Sequence, residues 1–384
     1  MNFEFATAGR IIFGWGAFDQ VPGLARPLGA RALLVLGREG RHGEDLASKL
    51  AGQGVGSVAF RVDGEPKVAT VDAAVGLARS EACDLVIAVG GGSVLDAGKA
   101  AAAMATQPGS LYDHLEVVGA GRPLVAPPLP FLAVPTTAGT GSEVTRNAVL
   151  DVPERRVKVS LRSPAMLPRA AVVDPALTLS VPPTVTAYTG LDALTQLIEP
   201  YVGLGANPLT DGLCLEGMAR AARSLAAAVR DGRDRKARED MAVASLLGGL
   251  ALANAKLGAV HGLAGVLGGT FGLPHGAICA RLLPIVMETN IAALESREPG
   301  SPSLTRYREV ARRLTGDPAA TPQDGVAWAR VLAESVGIPP LDYGAATLED
   351  LSAVIAASRG ASSMKGNPIL LTDEELHAVL EAAA

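Results

Sequence analysis

The amino-acid sequence predicts an α/β domain with a mostly parallel sheet over residues 1–180, followed by an all-helical domain over residues 181–384. Short apolar runs alternate with helical patterns through the first part, Pro182-Pro183 marks a change, and no convincing strand follows it. Ala32–Leu36, Ser57–Val62, Leu85–Val89, Phe131–Val134 and Ala171–Val173 read as buried strands from their length and Val/Leu content. Gly43–Ala51, Val68–Ser80 and Val94–Met104 carry the apolar period of helices between them. Such alternation gives a parallel sheet with helices on both faces. Beyond Pro183, helices are expected at Val185–Val202, Pro208–Ala228, Lys236–Lys256, Ala277–Leu294, Leu304–Leu314, Gln323–Val336, Thr347–Ala357 and Thr372–Ala383. The last opens on Thr372-Asp-Glu-Glu375, a run suited to capping a helix N-terminus. The cleft between two such domains is the default place for a site.

Of the 384 residues, 48% are hydrophobic, 19% charged and only 4% aromatic, so the core rests on Ala, Val and Leu and the chain is not disordered. A formal net charge of −5 and the lack of a long Lys/Arg block exclude a nucleic-acid partner. Cys83, Cys214 and Cys279 lie far apart with no CxxC pair, which predicts a reducing compartment and no disulfide framework. The opening MNFEFATAGR lacks the order of a signal peptide. Leu246–Gly269 is apolar, but Asn254, Lys256, His261 and its glycines suit a buried helix bordering a site better than a bilayer span. A cytoplasmic protein with no membrane partner is expected.

The first candidate site is a glycine-rich turn. Asp84-Leu-Val-Ile-Ala-Val89 runs into Gly90-Gly-Gly-Ser93, and a helix begins at Val94. Without Cβ atoms the backbone N–H groups approach a phosphate closely, and the helix N-terminus adds partial positive charge. Ser93 either caps the helix or donates to a phosphate oxygen; the bland alternative is a tight capped turn. Gly52-x-Gly54-x-Gly56 ends a helix instead of opening one and is not a second such loop. A loop after another strand, Val134-Pro-Thr-Thr-Ala-Gly-Thr-Gly-Ser-Glu-Val-Thr145, either lines the other side of a dinucleotide or is an ordinary polar loop.

The second candidate is an acid–imidazole set. Asp192 and Gln196 stand four residues apart and share a helix face. His261 and His275 bracket a Gly-rich segment, in a chain with only five histidines. One Asp with two His is a common divalent-metal set; a capped helix with two packing histidines is the plain alternative.

Gly90–Lys99, Pro135–Thr145, Gly190–Tyr201, His261–Gly276 and Ser363-Met-Lys-Gly-Asn-Pro368 resemble the iron-containing (group III) alcohol dehydrogenase family nearly end to end. The resemblance implies a Rossmann-like domain followed by a helical one, shared with dehydroquinate synthase, and a homodimer or larger homo-oligomer. It implies NAD(P)(H) as cofactor and hydride transfer between the nicotinamide and a small alcohol, aldehyde or ketone. By this resemblance Gly91, Gly92 and Ser93 match the pyrophosphate loop, with Asp96 and Lys99 on the helix it opens. Thr136, Thr137, Thr140 and Thr145 match the loop beside the nicotinamide and its phosphates, and Lys158 a lysine along the cofactor. Asp192, His261 and His275 match three of the four ligands, one Asp and three His, that hold Fe²⁺ or Zn²⁺.

The sequence departs from the family at four places. Gln196 stands where the second ligand is a His, and its neutral carbonyl is a poorer ligand for either ion. Gly265 replaces a His often credited with proton relay. Lys256 replaces a small residue and either supplies positive charge to catalysis beside His261 and His275 or extends to solvent. Gly37 replaces an acid that binds the ribose hydroxyls, with Arg38 and Arg41 beside it and Glu39 between them, which predicts tolerance of NADP(H). Competing functions are a metal-independent reductase of the maleylacetate reductase type, a dehydroquinate synthase-like cyclase, and a dinucleotide binder without catalysis.

Overall fold

Runs such as Leu33-Leu-Val-Leu36 are apolar on both faces, which only a sheet covered by helices on both sides accommodates. The computed structural model describes residues 2–155 and 157–384. Its strands are β1 (Ile11–Phe13), β2 (Arg31–Gly37), β3 (Gly56–Val62), β4 (Leu85–Gly90), β5 (Phe131–Pro135), β6 (Asn147–Val152), β7 (Val157–Arg162) and β8 (Ala170–Val173). Six of them form a parallel sheet in the order β1-β8-β5-β4-β2-β3. The helices of this part are α1 (Val21–Ala25), α2 (Gly43–Gly52), α3 (Val68–Ser80) and α4 (Gly92–Met104). Leu33, Val35, Val86 and Ala88 face a core shared with α3 and α4, whereas Leu34, Leu36, Ile87 and Val89 face one shared with α1 and α2. The strand order reverses between β2 and β4, and ligands of open α/β sheets bind at the carboxyl ends of strands flanking such a reversal.

The helical part comprises α5 (Pro183–Val202), α6 (Pro208–Arg230), α7 (Arg235–Asn254), α8 (Ala259–Phe271), α9 (His275–Arg297), α10 (Pro302–Thr315), α11 (Pro322–Ser335), α12 (Leu348–Arg359) and α13 (Asp373–Ala383). Among the described residues no strand follows β8. The chain falls into two units, one of Ala6–Thr137 with Gly141–Leu179, the other mainly Ser180–Ala384 with Ala138–Thr140. Helix α9 is long and apolar enough to cross a bilayer, but 72% of its apolar window is buried inside the protein.

Three features differ from the sequence reading. Strand β1 is only three residues long, too short to show a period. The antiparallel hairpin β6–β7 lies where the sequence reading places no strand, although Val157-Lys-Val-Ser-Leu-Arg162 alternates as a half-buried strand does. The helix expected at Lys236–Lys256 is α7, and α8, absent from the expected helices, shares the apolar stretch Leu246–Gly269 with it, the two bent by 96° where extended Gly258 opens the second. That bend aims the N-terminus of α8, and with it His261, at α5.

Candidate functional site

On α5 the residues Asp192, Gln196 and Glu199 recur at helical spacing and form one buried polar stripe. His261 lies in the first turn of α8 and His275 is the first residue of α9, with Cys279 one turn further on. All of these residues belong to the helical unit. His261 Nε2 lies 3.2 Å from Asp192 Oδ1, and His275 Nε2 lies 3.8 Å from the same oxygen. The Cys279 sulfur is 3.6 Å from His275 Nε2. One ligand atom from each of Asp192, His261, His275 and Cys279 falls within 4.8 Å of every other. A tetrahedral ion with bonds of roughly 2.0–2.3 Å sets its ligands about 3.3–3.8 Å apart, so closing the set needs shifts of about 1 Å. The side chain of His275 is 35% exposed while those of Asp192 and His261 are buried, which leaves one open approach.

Glu199 holds this set in place. Its Oε2 is 2.6 Å from His261 Nδ1 and its Oε1 accepts the N–H of Val260 at 2.7 Å. The N-terminus of α8 has no capping side chain of its own at Gly258, so Glu199 satisfies one of its free donors and complements its dipole. Asn367 satisfies another, accepting the N–H of Ala259 at 3.1 Å. With Nδ1–H donating to Glu199, His261 presents the Nε2 lone pair to the cluster, the usual arrangement of a metal-binding histidine.

Burial works to lower the proton affinity of His261, but Cys279, Glu199 and Asp192 outweigh it and hold the imidazole well above the usual histidine value. The same opposition, with Cys279 and Asp192 as the raising groups, lifts His275. Burial pushes Asp192 up, and the two histidines more than reverse that, leaving it below the ordinary carboxylate range. Two carboxylates, two imidazoles and a thiol converge there. The donor set therefore fits a divalent ion.

Gln196 is placed differently from the ligand expected at that position. Its Nε2 donates to Asp192 Oδ2 at 3.1 Å, which turns its carbonyl oxygen toward Gly248 on α7, where it is buried without a hydrogen-bond partner. Lys256 is also not in the cluster: it is exposed on the turn between α7 and α8, with its stem beside Gly366. A side chain starting from Gly265 would meet nothing within 4 Å. Cys279 and Glu199 escaped the sequence reading. The available signals were the four-residue step from His275 and the seven-residue step from Asp192.

In the α/β unit, Gly91 is the extended N-cap of α4, no side chain caps that end, and Gly92 and Ser93 form its first turn. A Cβ on Gly91 would sit 3.4 Å from Thr137, and the N–H of Thr136 bonds Gly90 at 2.9 Å. The glycine turn and the start of the threonine loop are thus neighbours on paired strand ends. Gly98 lets α4 lie flat on the sheet, since a Cβ there would come within 2.7 Å of Ala88. An uncapped helix start with bare backbone donors fits a diphosphate.

The remaining expected residues are placed as follows. Asp96 accepts from the Ser142 hydroxyl and, at 2.9 Å, from the N–H of Val149. Thr145 receives a bond of 2.9 Å from Lys99, whose buried ammonium also reaches Ser142 and the carbonyl of Asn147. These groups bind α4 to the loop after β5. Thr140 lies in the short stretch grouped with the helical unit, where neighbouring Gly139 lies against Thr189. Lys158 on β7 pairs with Glu65 at 2.5 Å. Gly37 ends β2, and Arg38 beyond it pairs with Asp63 at 2.5 Å in solvent. Arg41 pairs with Glu39 at 2.6 Å.

Residues 8–175 match the family model described as iron-containing alcohol dehydrogenase, and residues 186–384 match that of the Fe-containing alcohol dehydrogenase family, C-terminal. The chain belongs to the iron-containing alcohol dehydrogenase family. It is an oxidoreductase acting on CH–OH groups. It is 43% identical over 293 residues, 73% of each chain, to long-chain-alcohol dehydrogenase 1 of Geobacillus thermodenitrificans. A crystal structure of 1,3-propanediol oxidoreductase superimposes with a TM-score of 0.91 at 33% identity, covering 100% of both chains. Sulfoacetaldehyde reductase from Bifidobacterium kashiwanohense, solved in complex with NAD+, gives 0.87 at 29% identity over 100% of this chain and 99% of that one.

Proposed function

We propose that this family member oxidises a small alcohol, or reduces the matching aldehyde or ketone, with NAD(P)(H) and a divalent ion on Asp192, His261 and His275. The observation that carries this is the convergence of those three side chains from α5, α8 and α9, with Glu199 fixing one imidazole. A bound dinucleotide supplies a hydride acceptor or donor at the nicotinamide. A bound Zn²⁺ or Fe²⁺ supplies a Lewis acid that polarises the substrate C–O bond. The chain's own residues do the rest. Gly91, Gly92 and Ser93 offer backbone donors and the dipole of α4 to the diphosphate, and Thr136 and Thr137 border that turn. Glu199 keeps the proton on His261 Nδ1. Asp96, Lys99 and Thr145 act by holding the threonine loop against α4, and Lys158 by holding the hairpin beside Glu65. Lys256, in solvent, is given no chemical step. With Gly265 offering no imidazole, the hydroxyl proton leaves to solvent.

Stripping the metal with a chelator is expected to abolish alcohol-dependent formation of reduced nicotinamide, and added Zn²⁺ or Fe²⁺ to restore it. Full activity of the stripped protein would instead match the metal-independent reductase. A cyclase would regenerate its cofactor and show no net NAD(P)H, and a non-catalytic binder would show no turnover with any alcohol or aldehyde.

The same reading extends to cofactor choice. Gly37 carries no acid to repel a 2′-phosphate, and the Arg38–Asp63 pair, with side chains 76% and 62% exposed, is weak enough to exchange partners. NADPH is expected to give a kcat/KM at least equal to that of NADH. Arg38→Ala should lower the NADPH value about tenfold or more while leaving NADH unchanged. A strong NADH preference in the unaltered enzyme would end this reading.

A Cβ at Gly265 meets nothing within 4 Å, and Gly265→His places an imidazole one helical turn after His261 on the same helix face. It is expected to raise kcat for alcohol oxidation near neutral pH toward the ~10²-fold typical of a positioned base. The gain should fade as pH falls below the histidine range, and a flat pH profile would show that the added imidazole does not take the proton. A homodimer or larger assembly in a cytoplasmic setting completes the reading, consistent with three unpaired cysteines; light scattering tests the assembly.

A further inference from the structure

We propose that Cys279 supplies the fourth protein ligand of the metal site and that Gln196 acts behind Asp192 as a positioning residue. This rests on the metal reading given above. Cys279 stands one turn after His275 on α9, fully buried, and its sulfur lies within 4.8 Å of a ligand atom of Asp192, His261 and His275 at once. Its sulfur shares this spacing with three polar ligands. Cys214, by contrast, sits among apolar side chains, and burial drives its thiol far up. Gln196 has already committed its amide nitrogen to Asp192 Oδ2, and its oxygen is turned to α7. That bond leaves Asp192 Oδ1 free as the single carboxylate donor, the oxygen both histidines face.

The chemistry of the exchange is consistent. On binding the ion, the Cys279 thiol gives its proton to solvent and a metal–sulfur bond forms. Asp192 and the Cys279 thiolate then neutralise a divalent ion inside a buried site, whereas a neutral Gln carbonyl leaves charge uncompensated. A soft thiolate also moves the site's preference from iron toward zinc.

Co²⁺ added to the metal-free, full-length protein tests this without reference to activity. Binding of one ion per chain with a sulfur-to-cobalt charge-transfer band in the near ultraviolet is expected. Cys279→Ser should lose that band, and Gln196→Ala should keep it with affinity weakened about 10–100-fold, as for an outer-shell residue. Circular dichroism of the metal-free variants checks that each is folded. X-ray absorption on the unaltered zinc-loaded protein needs no variant: one sulfur at about 2.3 Å beside a nitrogen/oxygen shell at about 2.0–2.1 Å is expected. Stoichiometric binding that Asp192→Ala abolishes, but with a shell of nitrogen and oxygen alone, would overturn the Cys279 assignment and leave the metal site standing. No stoichiometric binding by the unaltered chain would overturn both.

Discussion

Asp192→Asn is expected to reduce alcohol-oxidation kcat by about 10³-fold or more and to leave the purified protein without stoichiometric metal. The size of the effect follows from where the charge sits. Asp192 Oδ1 faces both histidines, at 3.2 Å and 3.8 Å, and the side chain is 2% exposed, so bulk solvent does not stand in for its charge. Asparagine keeps the shape and the bond to Gln196 but removes the anion on which the cluster depends. The two measurements are metal content per chain and turnover at saturating cofactor. Retained metal with lost turnover would place Asp192 in the chemistry alone, and retained turnover would remove it from the site. Glu199→Gln tests the layer behind it. Loss of the anion that faces His261 Nδ1 should weaken metal affinity by about 10–100-fold with a smaller loss of turnover.

Lys99→Met is expected to destabilise the α/β unit by roughly 3–5 kcal/mol in denaturant unfolding, the cost of breaking a buried charged network on one side. The Lys99 side chain is fully buried, and its ammonium bonds the Ser142 carbonyl and hydroxyl, the Thr145 hydroxyl and the Asn147 carbonyl at 2.7–3.0 Å. Methionine fills the volume, leaves those acceptors without their donor and removes the cation 3.9 Å from Asp96. The pH dependence gives a second readout. Burial lowers Lys99 to about 8, against the pull of Asp96 and Glu143. Between pH 8 and 10.5 the unfolded chain therefore binds more protons at this residue, and stability rises with pH there. Burial raises Glu143 from 4.5 to about 7, so the folded chain holds the extra proton and stability falls as pH climbs through that window. Lys99→Met should flatten the rise between pH 8 and 10.5 and Glu143→Gln the fall between pH 4.5 and 7, each read as a difference from the unaltered protein in unfolding midpoints.

Much of the fold and the place of the candidate site are legible in the sequence. Val68–Ser80 was expected as a helix with the bounds the structure gives, because its apolar period is local and Ser80 ends it. The glycine turn and the threonine loop were legible because both follow strands, and a strand end is a local feature. What local pattern could not show was consumption by tertiary contacts. Asp96 and Thr145 look available in the sequence, yet Ser142, Val149 and Lys99 occupy them once α4 packs against the loop after β5. Gln196 shares a face with Asp192 as spacing requires, but the direction of an amide is set by the bond it makes, and Asp192 takes the nitrogen. Cys279 read as one of three scattered cysteines because nothing in its neighbourhood of sequence, other than the step from His275, announces α5 and α8. Lys256 stands five residues before His261 in sequence, yet it is exposed on the turn between α7 and α8 while the His261 side chain is buried.

The most direct measurement is a crystal of the protein grown with Zn²⁺ and NAD+ and recorded across the zinc absorption edge. An anomalous peak among Asp192, His261 and His275, with the diphosphate against the backbone of Gly91, Gly92 and Ser93, is the predicted result. Zinc found elsewhere, or a dinucleotide seated away from the start of α4, would contradict the account.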